Sequence, residues 1–399
     1  MREFSEQELV RRGKVEEIRK FCNPYPEKYE ITHSLKDASN LPDEEKNVSV
    51  AGRIVFMRKM GKLSFLKLRD IEGELQISIK IDLVGEEKYE FFKSNVDVGD
   101  FIGVRGEIFT THTGEKTLRA DDFEFLGKAL KPLPEKFHGL SDIETIYRNR
   151  YVDLIMNEES RTKFLFRSNL IREIRSFLNN NGYIEIETPI LNNKASGALA
   201  KPFITHHNAL DIDLYLRIAP ETYLKRAIVG GFTKVFEFAR CFRNEGIDAT
   251  HLQDFTMLEG YGAYLNYKDN MKFLREMIQT VVMNLFGKLE LTIEGKTIDI
   301  SGEWESISMR DLILKHSNID IYEYNTKEKL LEKIKLEKLE IDSETPLESL
   351  GYGNLVDQLY KKVARPFVLG PVFLTEHPIS LSPLARANDL NKELTDRFQ

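Results

Sequence analysis

Residues Val235–Tyr261, VFEFARCFRNEGIDATHLQDFTMLEGY, constrain the fold more than any other stretch. An alternating apolar run leads into Arg243, a polar Asn244-Glu245-Gly246 loop follows, and a second run carries Phe255, Glu259 and Tyr261. Strand side chains alternate between faces. Phe236, Phe238 and Phe242 therefore share one face, and Glu237, Ala239, Cys241 and Arg243 the other. With the phenylalanines toward a core, Arg243 is expected on an open face beside small side chains. If the two strands pair, Arg243, Phe255 and Glu259 line one site. A guanidinium suits bidentate phosphate contact, and an aromatic ring can stack on a base. A buried Glu259 needs a cation, which a substrate ammonium or a neighbouring lysine could supply. Such a set can hold a bent nucleotide beside a small charged substrate.

The rest of the chain divides by pattern. Ser5–Glu8 (SEQE) is a capping box that opens a charged helix to about Phe21, stopped by Asn23–Pro26 (NPYP). Its Arg11, Arg12, Lys14, Arg19 and Lys20 could touch a phosphate backbone or form a solvated face. Between Val48 and Leu126 five short strand patterns follow one another, which suggests a small barrel with the OB-fold as the candidate. Such barrels bind single-stranded nucleic acid by stacking and hydrogen bonding. Phe65 and Gln76 fall on neighbouring strands with Arg58 just upstream, and the three could read bases or fill surface.

Lys131–Pro134 (KPLP) is a stiff linker and a domain boundary. An amphipathic helix is expected over Glu159–Asn179, then an extended segment Tyr183–Pro189, together a surface suited to a two-fold dimer. Strands are expected at Asp213–Ala219, Lys234–Arg243 and Phe255–Tyr264, and helices at Glu221–Val229 and Tyr267–Phe286. Beyond Gly287 the pattern predicts a hairpin at Leu289–Ile300, helices near Met309–Lys315, Lys327–Ile334 and Leu355–Ala364, and a strand at Val372–Glu376. The sum is an α+β domain with an antiparallel sheet. No P-loop or dinucleotide fingerprint is present.

Composition narrows the class. The net charge of −7 excludes a generally basic nucleic-acid binder, so any nucleic-acid contact must be local. No apolar run is long enough to span a membrane, and the charged N-terminus does not read as a signal peptide. Cys22 and Cys241 define neither a disulfide framework nor a zinc spacing, so a cytoplasmic setting is expected.

The motifs together resemble the class II aminoacyl-tRNA synthetases, and within them the lysine–tRNA ligase branch. Gly182–Pro189 (GYIEIETP) with its preceding helix resembles the first class II motif, at the dimer interface. Phe242–Gly246 (FRNEG) with Phe255–Glu259 (FTMLE) resembles the second. The lysine branch is marked by Pro202–Asp211 (PFITHHNALD), Leu216–Glu221 (LRIAPE), Leu130–Pro134 (LKPLP), His138–Leu140 (HGL), Asn23–Pro26 and Met60–Phe65 (MGKLSF). The resemblance covers essentially the whole chain. It implies a helical extension at 1–46, an OB-fold anticodon-binding domain at 47–130, a linker at 131–145 and a class II catalytic domain at 146–399.

The resemblance also implies roles. Arg243 would be catalytic, holding the α-phosphate and the substrate carboxylate. Arg243, Glu245, His251 and Phe255 would contact ATP. Gly197, Glu221, Glu259 and Tyr261 would form the lysine pocket, which would reject neutral isosteres by leaving its charges unpaired. Arg58, Phe65 and Gln76 would contact the anticodon. The implied partners are lysine, ATP with magnesium, tRNA(Lys) and a second copy in a homodimer, with no membrane. His206 and His207 invite a metal reading, but the family pattern makes them structural neighbours.

Three departures stand against the family pattern. The loop segment Ala249–Asp254 lacks the usual basic residue before its histidine. Ala239, Cys241 and Gly260 replace residues that are commonly polar or larger. The sequence ends at Gln399, before the expected magnesium-binding acidic strand and the glycine-rich third motif. No metal ligands are therefore expected in these residues, the catalytic domain reads as incomplete at its C-terminus, and an inactive truncated paralogue that keeps tRNA binding and dimerisation is the alternative. An aspartate– or asparagine–tRNA ligase fits less well, because an aspartate pocket wants a cation where Glu221 and Glu259 stand.

Overall fold

The computed structural model describes residues 3–134, 142–248, 250–343 and 345–399. The expected match at His138–Leu140 and the loop residue Ala249 lie outside the described residues. The chain forms two compact units, residues 1–165 and 166–399.

Five strands build the first unit: β1 (Val48–Met60), β2 (Leu63–Arg69), β3 (Glu74–Lys80), β4 (Phe101–Thr110) and β5 (Lys116–Gly127). They close in the order β1-β2-β3-β5-β4, with β4 returning to β1. Closure removes both sheet edges, and alternate residues such as Val50, Leu66, Ile77, Ile102 and Leu118 fill the interior. Gly106 sits at an irregularity of the β4–β5 pairing, where a Cβ would fall 1.9 Å from the Arg119 carbonyl oxygen. Only glycine lets the strands close there. Two helices that the strand pattern does not announce, Ile81–Val84 and Glu86–Asn95, lie between β3 and β4, and Tyr89, Phe91 and Phe92 pack them onto the barrel core.

The N-terminal helix runs Glu6–Phe21 with the capping box formed: Ser5 Oγ accepts from the Glu8 N–H and the Glu8 carboxylate accepts from the Ser5 N–H. Its cations are largely spent within the unit. Arg11 donates to the carbonyls of Ala129 and Val98, and Lys14 bonds Asp97 at 2.7 Å. Arg19 and Lys20 pair with Glu16 and Glu17, and Arg12 lies over the Phe4 ring. Arg11 and Lys14 are thus docked within the unit, while Arg19 and Lys20 stay on a solvated face. Lys128, fully buried, joins the same cluster by bonding Asp97 and Asp100.

The second unit is α+β. Short strands β6 (Ile184–Glu185), β7 (Leu191–Asn192), β8 (Ile204–His207) and β9 (Ile212–Leu216) precede the two long ones, β10 (Lys234–Phe242) and β11 (Asp254–Gly262). β10 pairs antiparallel with β11 and parallel with β6. Only two residues of the extended Tyr183–Pro189 segment join that ladder. β9 pairs with β7 and β8 rather than with β10. It stops short of the expected Ala219 because Pro220 opens the helix Glu221–Val229. Phe236 packs with Leu178 and Tyr183 against the helices Glu158–Asn180 and Tyr267–Phe286. β12 (Glu290–Ile293) and β13 (Lys296–Asp299) form the expected hairpin. Last come β14 (Glu305–Ser308), β15 (Val372–Pro378) and β16 (Leu394–Phe398), a three-stranded sheet backed by the helices Met309–Ser317, Lys327–Leu336 and Tyr352–Val363.

One expectation about faces is corrected. The face carrying Glu237, Ala239 and Cys241 is closed: these residues are 4%, 0% and 0% exposed. Phe238 and Phe242 on the opposite face are only half-buried. Arg217 lies against the Glu237 end of this face, where it bonds Glu237 and the Arg240 carbonyl oxygen, while Phe255, Glu259 and Tyr261 across the ladder stay half-buried.

Candidate active site and nucleic-acid face

Register decides what the two long strands can do together. Cys241 stands opposite Phe255, Ala239 opposite Met257, Glu237 opposite Glu259 and Val235 opposite Tyr261. All eight side chains share a face. Arg243 extends the ladder by one bond, its N–H donating to the Gln253 carbonyl oxygen at 2.8 Å. Its guanidinium carbon then sits 5.0 Å from the centre of the Phe255 ring. Arg243 Nε is buried without a hydrogen-bond partner. A buried donor left unsatisfied costs about 1–3 kcal/mol, so this nitrogen is set to receive an acceptor.

Further along the same face, the Tyr261 hydroxyl donates to Glu259 Oε2 at 2.8 Å. Burial pushes the Glu259 carboxyl above its usual range; the Tyr261 bond opposes this, and the Glu221 and Glu237 carboxylates add to it. Tyr261 is raised too, first by burial and then by its bond to Glu259. Glu221 opens the helix Glu221–Val229 and pairs with Lys225 at 2.5 Å, while Lys225 lies over the Tyr261 ring. Gly197 backs this corner with φ +91°, and a Cβ there would stand 3.1 Å from Ala219 Cβ and 3.2 Å from Glu221 Cβ. A half-buried carboxylate, a phenol and a second carboxylate paired with an exposed lysine suit a small cationic ligand.

The loop between the strands is held separately. The Lys201 N–H donates to Glu245 Oε1 at 3.2 Å, and Gln253 Nε2 donates to the Glu245 carbonyl oxygen at 3.1 Å. His251 is exposed and engaged with Asp248 at 2.7 Å. Asp248 is held well below the carboxylate range, chiefly by the Thr250 hydroxyl. His251 is thus turned toward its own loop, whereas Arg243, Phe255, Glu259, Tyr261, Glu221 and Gly197 form one linked surface. His206 lies between Asp211 and Asp213, and His207 accepts from the Leu210 N–H. Among the described residues no three His, Cys, Asp or Glu side chains gather to hold a metal ion.

Two residues of this region lie outside the sequence-derived set. Arg217 and Glu237 form an ion pair at 2.6 Å, each 5% exposed in its side chain. Alternation had placed Glu237 on the face of Arg243, but nothing local announces its partner.

On the barrel, Arg58 pairs across strands with Phe65, Phe65 with Ser78, and Lys67 with Gln76. The register puts Arg58, Phe65 and Gln76 on one outer face. Arg58 is exposed, Phe65 half-buried, and Gln76 Nε2 donates to Thr117 Oγ1 at 2.9 Å. An exposed guanidinium beside a half-buried ring has the chemistry to stack on bases. No helix of the described residues is long and apolar enough to cross a membrane.

Comparison with known proteins gives this geometry a context. Residues 142–399 match the model for tRNA synthetases class II (D, K and N), and residues 48–126 match that for the OB-fold nucleic acid binding domain. A lysine–tRNA ligase of Enterococcus faecalis is 41% identical over 409 residues, covering 100% of this chain and 81% of that protein. One from Thermosipho africanus is 43% identical over 408 residues, covering 100% and 79%. One from Dehalococcoides mccartyi is 42% identical over 405 residues, covering 98% and 80%. With the barrel, the paired strands and these relatives in agreement, the chain belongs to the lysine–tRNA ligase family of class II aminoacyl-tRNA synthetases.

Proposed function

We propose that the linked surface of β10 and β11 joins lysine to ATP, and that the barrel face recognises tRNA(Lys). The observation that supports it most is the Arg243 guanidinium, stacked over Phe255 with a buried, unpartnered Nε. In this reading Phe255 takes the adenine on one side. Arg243 holds the α-phosphate and the lysine carboxylate within attacking distance, and it neutralises charge as the carboxylate attacks phosphorus. Lysyl-adenylate forms and pyrophosphate leaves. A terminal ribose hydroxyl of the tRNA then attacks the acyl carbon, and AMP leaves. Glu245 faces the adenine edge, and His251 turns from its loop toward the outer phosphates.

The lysine ammonium groups go to Glu259, Tyr261 and Glu221, with Gly197 keeping room for the amino end. A half-buried carboxylate gains most from a cation that replaces its lost water. Lys225 yields Glu221 when the substrate arrives. Arg58, Phe65 and Gln76 contact the anticodon. Phe164, Leu165 and Phe166 are 53%, 44% and 40% exposed on one turn of the helix Glu158–Asn180, apolar surface that a second copy covers in a homodimer.

Lysine-dependent exchange of pyrophosphate into ATP tests the first half-reaction in the full-length protein. Exchange supported by lysine and lost in E259Q is expected. Exchange driven equally by other amino acids would sink the pocket assignment.

A further inference from the structure

Glu237 and Glu259 stand directly opposite one another on β10 and β11. Like charges so placed repel. Both oxygens of Glu237 are occupied: Oε1 accepts from Arg217 Nη1 at 2.6 Å and Oε2 from the Thr188 hydroxyl at 2.6 Å. Arg217 also donates to the Thr188 carbonyl and hydroxyl oxygens and to the Arg240 carbonyl oxygen. At 4% and 5% exposure, Glu237 and Arg217 are closed to any ligand. Glu259 differs in being half-buried, and among the described residues its carboxylate accepts a side-chain hydrogen bond from the Tyr261 hydroxyl alone. The charges around it are Glu221 and Lys225 on the neighbouring helix, which pair with each other, and Glu237 on β10. Cys241 on the same face feels Arg217, Arg243, Glu237 and Glu259.

This distribution separates two carboxylates that the backbone puts together. One is paired with a cation inside the protein; the other forms no ion pair among the described residues, the nearby Lys225 being paired with Glu221. We propose that Arg217 is a positioning residue for amino-acid recognition: by neutralising Glu237 behind the pocket, it leaves Glu259 as the anion available to a substrate ammonium. The inference rests on the lysine-pocket reading of Glu259 above. Without Arg217, Glu221, Glu237 and Glu259 would crowd one region with Lys225 alone among the flanking lysines. Glu259 would then take up a proton more readily and lose its grip on a cation as pH falls.

Lysine binding to the full-length protein, measured by calorimetry from about pH 6 to about pH 8.5, tests this. R217M is expected to weaken binding about tenfold near pH 6, the equivalent of one pKa unit. The loss should shrink toward pH 8.5, where Glu259 is ionised again. R217M/E237Q removes both charges and should recover most of the affinity. E237Q alone keeps hydrogen-bonding capacity at that position, and it covers the case in which R217M does not fold. It should carry the low-pH limit of lysine binding to lower pH. A uniform loss in R217M that the double variant does not repair, or an unmoved limit in E237Q, overturns the proposal. E259Q separates the two readings: if it binds lysine normally, the pocket assignment itself has failed.

Discussion

The Arg243 guanidinium carbon lies 5.0 Å from the centre of the Phe255 ring, two residues that stand at the loop ends of paired strands. The hydrogen bond from Arg243 N–H to Gln253 fixes this approach, since it carries the ladder one residue past β10. The ring covers the guanidinium and its Nε is left without a partner. In the proposed function this pair grips a planar base and an anion at once.

Replacing Arg243 by Ala should lower lysine-dependent pyrophosphate exchange by about 10²–10³-fold, the usual cost of removing a preorganised donor from developing charge. Arg243→Lys should recover only part of this, because an ammonium lacks the planar fork. Exchange rates for the two variants at saturating lysine check it. Equal activity of the Lys variant and the parent would show that charge alone suffices.

Gly197→Ala should damage the lysine corner through the backbone. The position holds φ +91°, and the new Cβ would press on Ala219 and Glu221 at 3.1 and 3.2 Å. The strained conformation costs about 1–3 kcal/mol. A lower melting temperature and weaker lysine binding, with ATP binding preserved, are the expected pair of results. Unchanged lysine affinity would argue that Glu221 does not shift.

On the barrel, Phe65→Ala should weaken tRNA binding by about 1–3 kcal/mol, the loss of one stacked base. Arg58→Ala should also weaken it and reduce its salt dependence. Neither should alter lysine-dependent exchange. Binding titrations with tRNA(Lys) and with an anticodon-swapped tRNA distinguish base reading from general attraction. If the two tRNAs lose affinity equally, the face does not read the anticodon.

His377 supplies a pH test. It is fully buried, and neither ring nitrogen makes a hydrogen bond of acceptable geometry. Burial, then the Arg397 guanidinium, push its pKa from 6.5 down to about 4, against weaker opposition from the nearby Gln399 side chain and Asp357. Between these values the unfolded chain holds more protons than the folded one. Stability therefore falls as pH drops below 6.5 and levels off near 4. The effect is at most about 3 kcal/mol. Urea midpoints at neutral and mildly acid pH, for the parent and His377→Leu, should show a smaller acid loss in the variant. Equal losses would place the acid sensitivity elsewhere.

Much of the architecture is legible in sequence because its causes are local. The capping box at Ser5–Glu8 needs only four residues, and the observed helix begins at Glu6. Alternation gave β10 and β11 and the shared face of Phe255, Glu259 and Tyr261. The helices Ile81–Val84 and Glu86–Asn95 were hidden among strand signals, since their buried Tyr89, Phe91 and Phe92 sit in a short, charged segment. Alternation also failed to say which face of β10 would be covered. Ala239 and Cys241 read as neighbours of an open site but are fully buried, and Arg217 bonds Glu237 beside them from a separate segment.

The sequence by itself determined the barrel, the strand pair, the synthetase motifs and the residues able to bind a nucleotide and a cation. These follow from period, turn chemistry and residue type over short spans. Only the tertiary structure decided how charge is distributed among them. Glu237 and Glu259 are equivalent by alternation, yet one is locked to Arg217, 20 residues away, and the other accepts from the Tyr261 hydroxyl on its own strand. Pairing of that kind depends on which segments meet in space, and electrostatic energy in a partly dry interior depends on distances that no local pattern contains.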